Sequence, residues 1–75
     1  MFKHLMNDVK YGDKNYYVST NDTADAGLET MIFAVDENGL IDWGGLYAEH
    51  YATEKAAAEK HKYICENIHE FVKED

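Results

Sequence analysis

The chain has no proline, no arginine and a single cysteine, and these absences exclude several classes of structure. Cys65 alone cannot form an internal disulfide, and no Cys-x-x-Cys pair supplies the usual ligands of structural zinc. There is no long apolar run, and an acidic residue, Asp8, occurs early in the chain. A signal peptide and a membrane-spanning helix are therefore not expected, and a cytoplasmic location is predicted.

Positive charge is missing from the middle of the chain. Residues 15–54 contain eight acidic residues and no lysine, whereas the rest of the chain holds seven lysines against seven acids. The whole net charge of −8 therefore comes from this acidic segment. Direct binding to nucleic acid or to an anionic membrane is not expected, because phosphate contacts need clustered Lys and Arg. The expected partner is a basic surface on another protein.

The length of 75 residues predicts one small domain. With 45% apolar and 13% aromatic residues, the chain is too hydrophobic to be disordered despite its charge. A domain of this size buries a modest fraction of its surface, and it has neither a disulfide nor a zinc site to support it. A homodimer is therefore predicted.

A β-hairpin in the middle of the chain organises the predicted fold. Residues 29–35 have high strand propensity, residues 36–39 (Asp-Glu-Asn-Gly) are typical of a turn, and a second apolar run ends at Trp43. The following Gly44 and Gly45 indicate a bulge. Because residues 29–35 are apolar on both faces, one face should pack on a helix. The N-terminal segment or a second subunit should cover the other.

The remaining segments complete an α+β prediction. Residues 16–20 are predicted to form a strand and residues 21–27 a surface loop. Thr53 is a suitable N-cap for a long C-terminal helix over residues 54–72. The apolar stripe of this helix comprises Ala57, His61, Ile64, Cys65, Ile68, Phe71 and Val72. Residues 1–10 favour a short helix, with an edge strand or an irregular arm as alternatives. The predicted fold is a three-stranded antiparallel sheet packed on one long C-terminal helix (βββα).

Three residues of this helix are candidate metal ligands or nucleophiles. His61, Cys65 and His69 follow one another at four-residue intervals. The outer two are about 12 Å apart along a helix, so one ion cannot bind all three. A thiol packed on a helix also lacks the exposed, electropositive setting that activates cysteine. Packing is the favoured interpretation, a metal-binding pair is a minor alternative, and no enzyme, metal or cofactor is predicted.

The acidic segment supplies the candidate partner-binding residues. They are Asp22, Asp25, Glu29, Asp36, Glu37, Asp42 and Glu49. Carboxylates gathered on one surface can imitate a row of phosphates and compete for a nucleic-acid-binding groove. The leading hypothesis is therefore a non-enzymatic inhibitor that binds a basic surface. The alternative is an accessory or structural protein that makes its contacts through an apolar sheet face, with the charge serving solubility alone.

A series of short motifs resembles a group of small bacteriophage and prophage proteins with no assigned activity. The motifs are V-S-T at 18–20, E-T-M-I-F at 29–33, D-W at 42–43 and Y-A-T at 51–53, followed by Ala57 and His61. The resemblance covers about residues 16–65 and implies a phage origin and a βββα shape. By analogy of type, small acidic phage proteins include anti-CRISPR proteins. A CRISPR effector in the host cytoplasm is accordingly the expected partner.

Overall fold

The computed structural model describes residues 2–72 and shows an antiparallel sheet with a helix on one side. Its elements are β1 (Leu5–Tyr11), β2 (Lys14–Thr23), β3 (Gly27–Val35), β4 (Ile41–Tyr51), α1 (Glu54–Glu66) and a 3₁₀ turn, η1 (Ile68–Glu70). The strands lie in the order β1-β2-β3-β4, so each pairs with its neighbour in sequence. The α+β class is confirmed, but the sheet has four strands and not three.

The additional strand is β1, which the sequence favoured as a short helix. Its pairing with β2 runs from Leu5 opposite Thr20 to Tyr11 opposite Lys14, through a turn in which Gly12 has a φ of 64°. The apolar residues of this segment have the spacing of a helix, but Leu5 and Val9 also lie on one face of a strand. The spacing therefore did not distinguish a helix from a strand. Pairing with β1 gives the backbone N–H and C=O groups of β2 hydrogen-bond partners. If residues 1–10 formed a short helix, these groups would be left to solvent. The edge-strand alternative was therefore the right one.

The central hairpin forms at its predicted position. Asp36 N–H donates to the carbonyl of Leu40 at 2.9 Å, and Gly39, with a φ of 83°, donates to the carbonyl of Asp36 at 3.0 Å. The predicted loop at 21–27 is shorter than expected, because β2 continues to Thr23 and β3 begins at Gly27. The β2–β3 hairpin therefore extends the sheet further than propensity alone indicated.

Strand β4 contains the predicted bulge. Asp42 pairs with Ala34 and Tyr47 pairs with Ile32, so four residues of β4 stand opposite a single residue of β3. Gly45 has a φ of 77°, and a Cβ atom at this position would lie 3.0 Å from Cε of Met31. Glycine is therefore required both for the backbone conformation and for the close approach to β3.

Helix α1 begins as predicted and ends earlier. The Thr53 hydroxyl accepts a hydrogen bond from the Ala56 N–H at 3.1 Å, which confirms the N-cap. The helix stops at Glu66 because Asn67 leaves helical geometry (φ −133°, ψ 40°), and η1 follows. Ile68 and Val72 nevertheless remain buried in the core, so the predicted apolar stripe is kept although the helix is not continuous.

The core lies between α1 and one face of the sheet, which we call the covered face. Tyr16, Val18 and Ile32 pack there against Ile64, Ile68 and Val72. No helix in residues 2–72 has both the length and the apolar character needed to span a membrane. Within the same residues, no helix or strand crosses the opposite face of the sheet, the open face. The N-terminal segment forms the edge strand β1 and does not lie across this face, although His4 contacts Ser19 at its margin.

Candidate protein-interaction face

The seven predicted carboxylates do not form one surface. Asp22 and Asp25 lie at the end of the sheet where β2 turns into β3, and both are exposed. Asp36, Glu37 and Asp42 lie at the other end, around the β3–β4 turn. Strand β3 separates the two groups, and its nine residues span about 26 Å at ~3.3 Å per residue. The topology therefore divides the acidic segment between two ends of the molecule.

Two other predicted carboxylates have polar side-chain partners on neighbouring elements. The Glu29 carboxylate lies 3.0 Å from Nε2 of His50 on the neighbouring strand. The Glu49 carboxylate lies 3.7 Å from Nζ of Lys60, and it accepts a short hydrogen bond from the Tyr47 hydroxyl. Burial and this hydrogen bond raise the pKa of Tyr47 to about 12. Lys60 lies outside the acidic segment in the sequence, but α1 places it beside Glu49 on the sheet. The composition of the acidic segment did not reveal this contact.

Asp36 and Asp42 have local structural roles. The Asp36 carboxylate accepts hydrogen bonds from the N–H groups of Asn38 and Leu40, both at 2.9 Å. The Asp42 carboxylate accepts from the Gly44 N–H at 3.0 Å and supports the bulge. Such side-chain bonds to the backbone stabilise turns. Substituting Asp36 would therefore lower stability as well as change charge.

The open face carries an aromatic and methionine cluster that was not among the predicted site residues. Phe33 stacks beside Tyr17 with ring centroids 6.2 Å apart, and Trp43 lies edge-on to Phe33 at 5.0 Å. Phe33 is only 7% exposed because these two rings cover it, whereas Trp43 remains 66% exposed. The bulge turns Trp43 toward the open face. We define the aromatic cluster as Tyr17, Met31, Phe33 and Trp43.

The surroundings of the aromatic cluster extend its apolar character along β4 and onto one further strand, β1. Met31 pairs with Ser19 on one side and Ala48 on the other, and Met6 of β1 pairs with the same serine. Met6 is 54% exposed. Exposed aromatic and methionine side chains gathered on one face are typical of protein-binding surfaces. The sequence signal was present in the uninterrupted apolar character of β3, which predicted that both faces would be covered.

A buried polar network occupies the covered face. Nδ1 of His61 lies 2.7 Å from the Thr20 hydroxyl, which lies 2.5 Å from the Thr30 hydroxyl. Nε2 of His61 lies 2.7 Å from Oδ1 of Asn7. Because the amide oxygen only accepts, Nε2 carries the proton, and Nδ1 accepts from Thr20. The hydrogen bonds therefore run from Thr30 through Thr20 to His61, and on to Asn7.

The network resembles the hydroxyl, imidazole and amide arrangement of a nucleophilic triad, but it lacks access to substrate. Thr20 is fully buried and His61 is 5% exposed. A catalytic nucleophile needs a reachable oxygen and a site beside it for the reacting atom. Burial, and secondarily His4, lower the pKa of His61 and keep the imidazole neutral. The network therefore holds β1, β2, β3 and α1 in register.

The structure does not bring the three predicted helix residues together as a metal site. Both ring nitrogens of His61 are occupied by Thr20 and Asn7. Burial raises the pKa of the Cys65 thiol, and His69 lies in η1 with its ring centroid 6.0 Å from that of Tyr11. No group of three or more metal-ligating side chains occurs within residues 2–72. The packing interpretation fits these positions.

Comparison with known proteins adds no relative on which a function could be based. No family model, no curated protein and no solved structure matches the chain. The resemblance to phage proteins therefore stays a prediction. The functional proposal below depends on the geometry of the open face.

Proposed function

We propose that this protein is a non-enzymatic binding protein that engages another protein through the open face of its sheet. The single observation that carries the proposal is Trp43, which is 66% exposed while it packs on the buried ring of Phe33. The indole is held by the neighbouring rings and remains available to a partner. Tryptophan in this position is a frequent anchor of binding energy in protein interfaces.

The charge around the aromatic cluster indicates the chemistry of the partner. Asp22 and Asp25 lie at one end of the sheet, and Glu37 lies at the other. Within residues 2–72, none of these three carboxylates forms an ion pair. A partner with an apolar centre and basic margins would complement both features. The apolar cluster would supply most of the affinity, and the carboxylates would favour fast, salt-sensitive association.

A more specific proposal retains the inhibitor predicted from the sequence. A host protein that binds nucleic acid, such as a CRISPR effector, has basic surfaces of the kind just described. The support from the carboxylates is narrower than expected, because Glu29 and Glu49 are paired and Asp36 and Asp42 support turns. We therefore propose Asp22, Asp25 and Glu37 as the charged contacts and Trp43 as the central one.

Capture from host lysate tests this function with two matched variants. Trp43→Ala removes the exposed indole, and Leu40→Ala removes an equally exposed apolar side chain (67%) from the β3–β4 turn. Trp43→Ala should reduce capture at least about tenfold, since central aromatic contacts contribute ~2 kcal/mol or more. Leu40→Ala should leave capture unchanged. Equal capture by all three proteins would refute the open face as the binding surface.

The accessory or structural protein remains the second candidate function. It uses the same apolar face, but its carboxylates serve solubility alone. Salt separates the two candidates, because raising ionic strength from low to physiological values screens charge contacts and not apolar ones. Capture that weakens several-fold with salt supports the inhibitor, and capture insensitive to salt supports the accessory protein. The sequence also predicted a homodimer. The molar mass of the complex from light scattering then shows whether the partner binds the dimer or takes the place of the second subunit.

A further inference from the structure

We propose that a groove between α1 and η1 is a binding site for a cationic side chain, of the lysine type, from another molecule. The groove is on the helix side of the molecule, away from the open face. Its aromatic part is formed by Tyr63 and Phe71, and Tyr47 of β4 packs against Phe71. The inference does not depend on the proposed function of the open face.

Tyr63 and Phe71 form a partial cage, and Tyr47 packs against Phe71. Tyr47 and Phe71 meet at 72° with centroids 5.1 Å apart, and Tyr63 and Phe71 meet at 86° with centroids 6.1 Å apart. Near-perpendicular rings present more than one electron-rich face to the space between them. Cages of this type hold ammonium groups by cation–π attraction. Tyr63 is 43% exposed, so this side of the cage is open to solvent.

A cation of the protein itself already lies at the cage. Nζ of Lys60 is 5.4 Å from the centroid of Phe71 and 5.9 Å from that of Tyr63. The same ammonium is 3.7 Å from the Glu49 carboxylate. These distances lie near the outer limits of a cation–π contact and an ion pair. The position of Lys60 therefore indicates that the site attracts an ammonium group, although Lys60 itself does not bind there closely.

Within residues 2–72, carboxylates are more numerous around the groove than cations. Glu59 and Glu70 line the groove together with Lys60, Tyr63 and Phe71. The Glu70 carboxylate accepts a hydrogen bond of 2.7 Å from the Tyr63 hydroxyl, which raises the pKa of Tyr63. Glu49 lies beside Lys60 as a third carboxylate of the described part of the chain. These carboxylates attract a second cation to the groove, and its alkyl stem would cover the exposed ring of Tyr63.

Titration with a minimal ligand tests the inference. N-acetyl-lysine amide is added to the ¹³C-labelled protein while the aromatic signals are followed by NMR, and N-acetyl-norleucine amide serves as the uncharged probe of similar length. The lysine probe should shift the ring signals of Tyr63 and Phe71 in a saturable way, and the norleucine probe should not. Equal shifts with both probes, or shifts that do not saturate, would overturn the site.

Two variants separate a binding site from a structural contact. Lys60→Met keeps the apolar stem and removes the competing ammonium, so the probe should bind roughly threefold to tenfold more tightly. Tyr63→Leu, made in the Lys60→Met background, should abolish the ring shift of Phe71. Trp43→Ala serves as the remote control and should bind the probe like the wild type. If Lys60→Met lowers the melting temperature without tightening binding, Lys60 is a structural residue and the proposal fails.

Discussion

Each face of the sheet departs in one respect from the usual distribution of side chains. The covered face buries Thr20, Thr30 and His61 in the core, where every ring nitrogen and both threonine hydroxyls have partners. The open face leaves Trp43 and Met6 more than half exposed. Burying polar groups and exposing large apolar ones are both unfavourable unless another requirement offsets them. Thr20, Thr30 and His61 meet that requirement through hydrogen bonds to one another and to Asn7, and we propose that the open face meets it by binding another molecule.

The largest expected effect on stability is the difference between substitutions at Ile32 and Met31, which are adjacent on β3 and lie on opposite faces of the sheet. Ile32→Ala removes a fully buried side chain from the covered face and should lower the free energy of unfolding by about 2–5 kcal/mol. Met31→Ala on the open face should cost less than about 1 kcal/mol, because its side chain is only partly buried. Urea denaturation of both variants measures the difference. Equal losses would show that the open face is also packed in solution.

The buried network should give the next largest effect. Thr20→Val keeps the volume but removes the hydroxyl between His61 and Thr30, leaving buried polar atoms without partners. The expected loss is about 1–3 kcal/mol. Ser19→Ala on the open face removes a hydroxyl that lies 2.7 Å from His4, and it should cost less because this site is only partly buried. A Thr20→Val protein as stable as the wild type would contradict the structural role of the network.

The pH dependence of stability should report the neutral state of His61. Burial lowers the pKa of folded His61, so below about pH 6.5 the unfolded state binds more protons than the folded state. The free energy of unfolding should therefore fall as the pH falls below about 6.5. His61→Gln removes this contribution, so the variant should lose less stability than the wild type between pH 7.5 and 5.5. Parallel curves would show that folding does not lower the pKa of His61.

The smallest expected effect on stability concerns the exposed carboxylates. Glu37→Lys should change the free energy of unfolding by less than about 0.5 kcal/mol, because the Glu37 side chain is exposed. Asp36→Lys should cost more, since it also removes two hydrogen bonds in the turn. Partner capture by Glu37→Lys should weaken at low salt and approach the wild type at high salt. If Glu37→Lys captures the partner as well as the wild type does at low salt, the apolar contact alone accounts for binding.

Local chemistry made several elements predictable. The turn at 36–39, the Thr53 cap and the bulge at Gly44 and Gly45 each depend on a few adjacent residues, and all are present. Strand β1 was ambiguous because its apolar residues fit two periodicities. The end of α1 at Asn67 was also hidden, because neither proline nor glycine marks it. Its apolar stripe continues into η1, so periodicity could not reveal the break.

The candidate site was less predictable because it depends on which strands become neighbours. The carboxylates of the acidic segment suggested one acidic surface. Because the chain reverses direction at each hairpin, Asp22 and Asp25 lie at one end of the sheet and Asp36 and Glu37 lie at the other. Lys60 reaches Glu49 only because α1 folds back over β4. The exposure of Trp43 likewise follows from the bulge and from the fact that no element of residues 2–72 forms a layer over the open face. These features are tertiary, and no local pattern encodes them.

Site-specific photocrosslinking most directly tests whether the open face is the binding surface. A photoreactive phenylalanine analogue replaces Trp43 in one protein and Lys62, which is exposed on α1, in another. In cell lysate, the analogue at position 43 should give a discrete crosslinked product that excess unmodified protein suppresses, and the analogue at position 62 should not give that product. The same product from both positions, or from position 62 alone, would contradict the account.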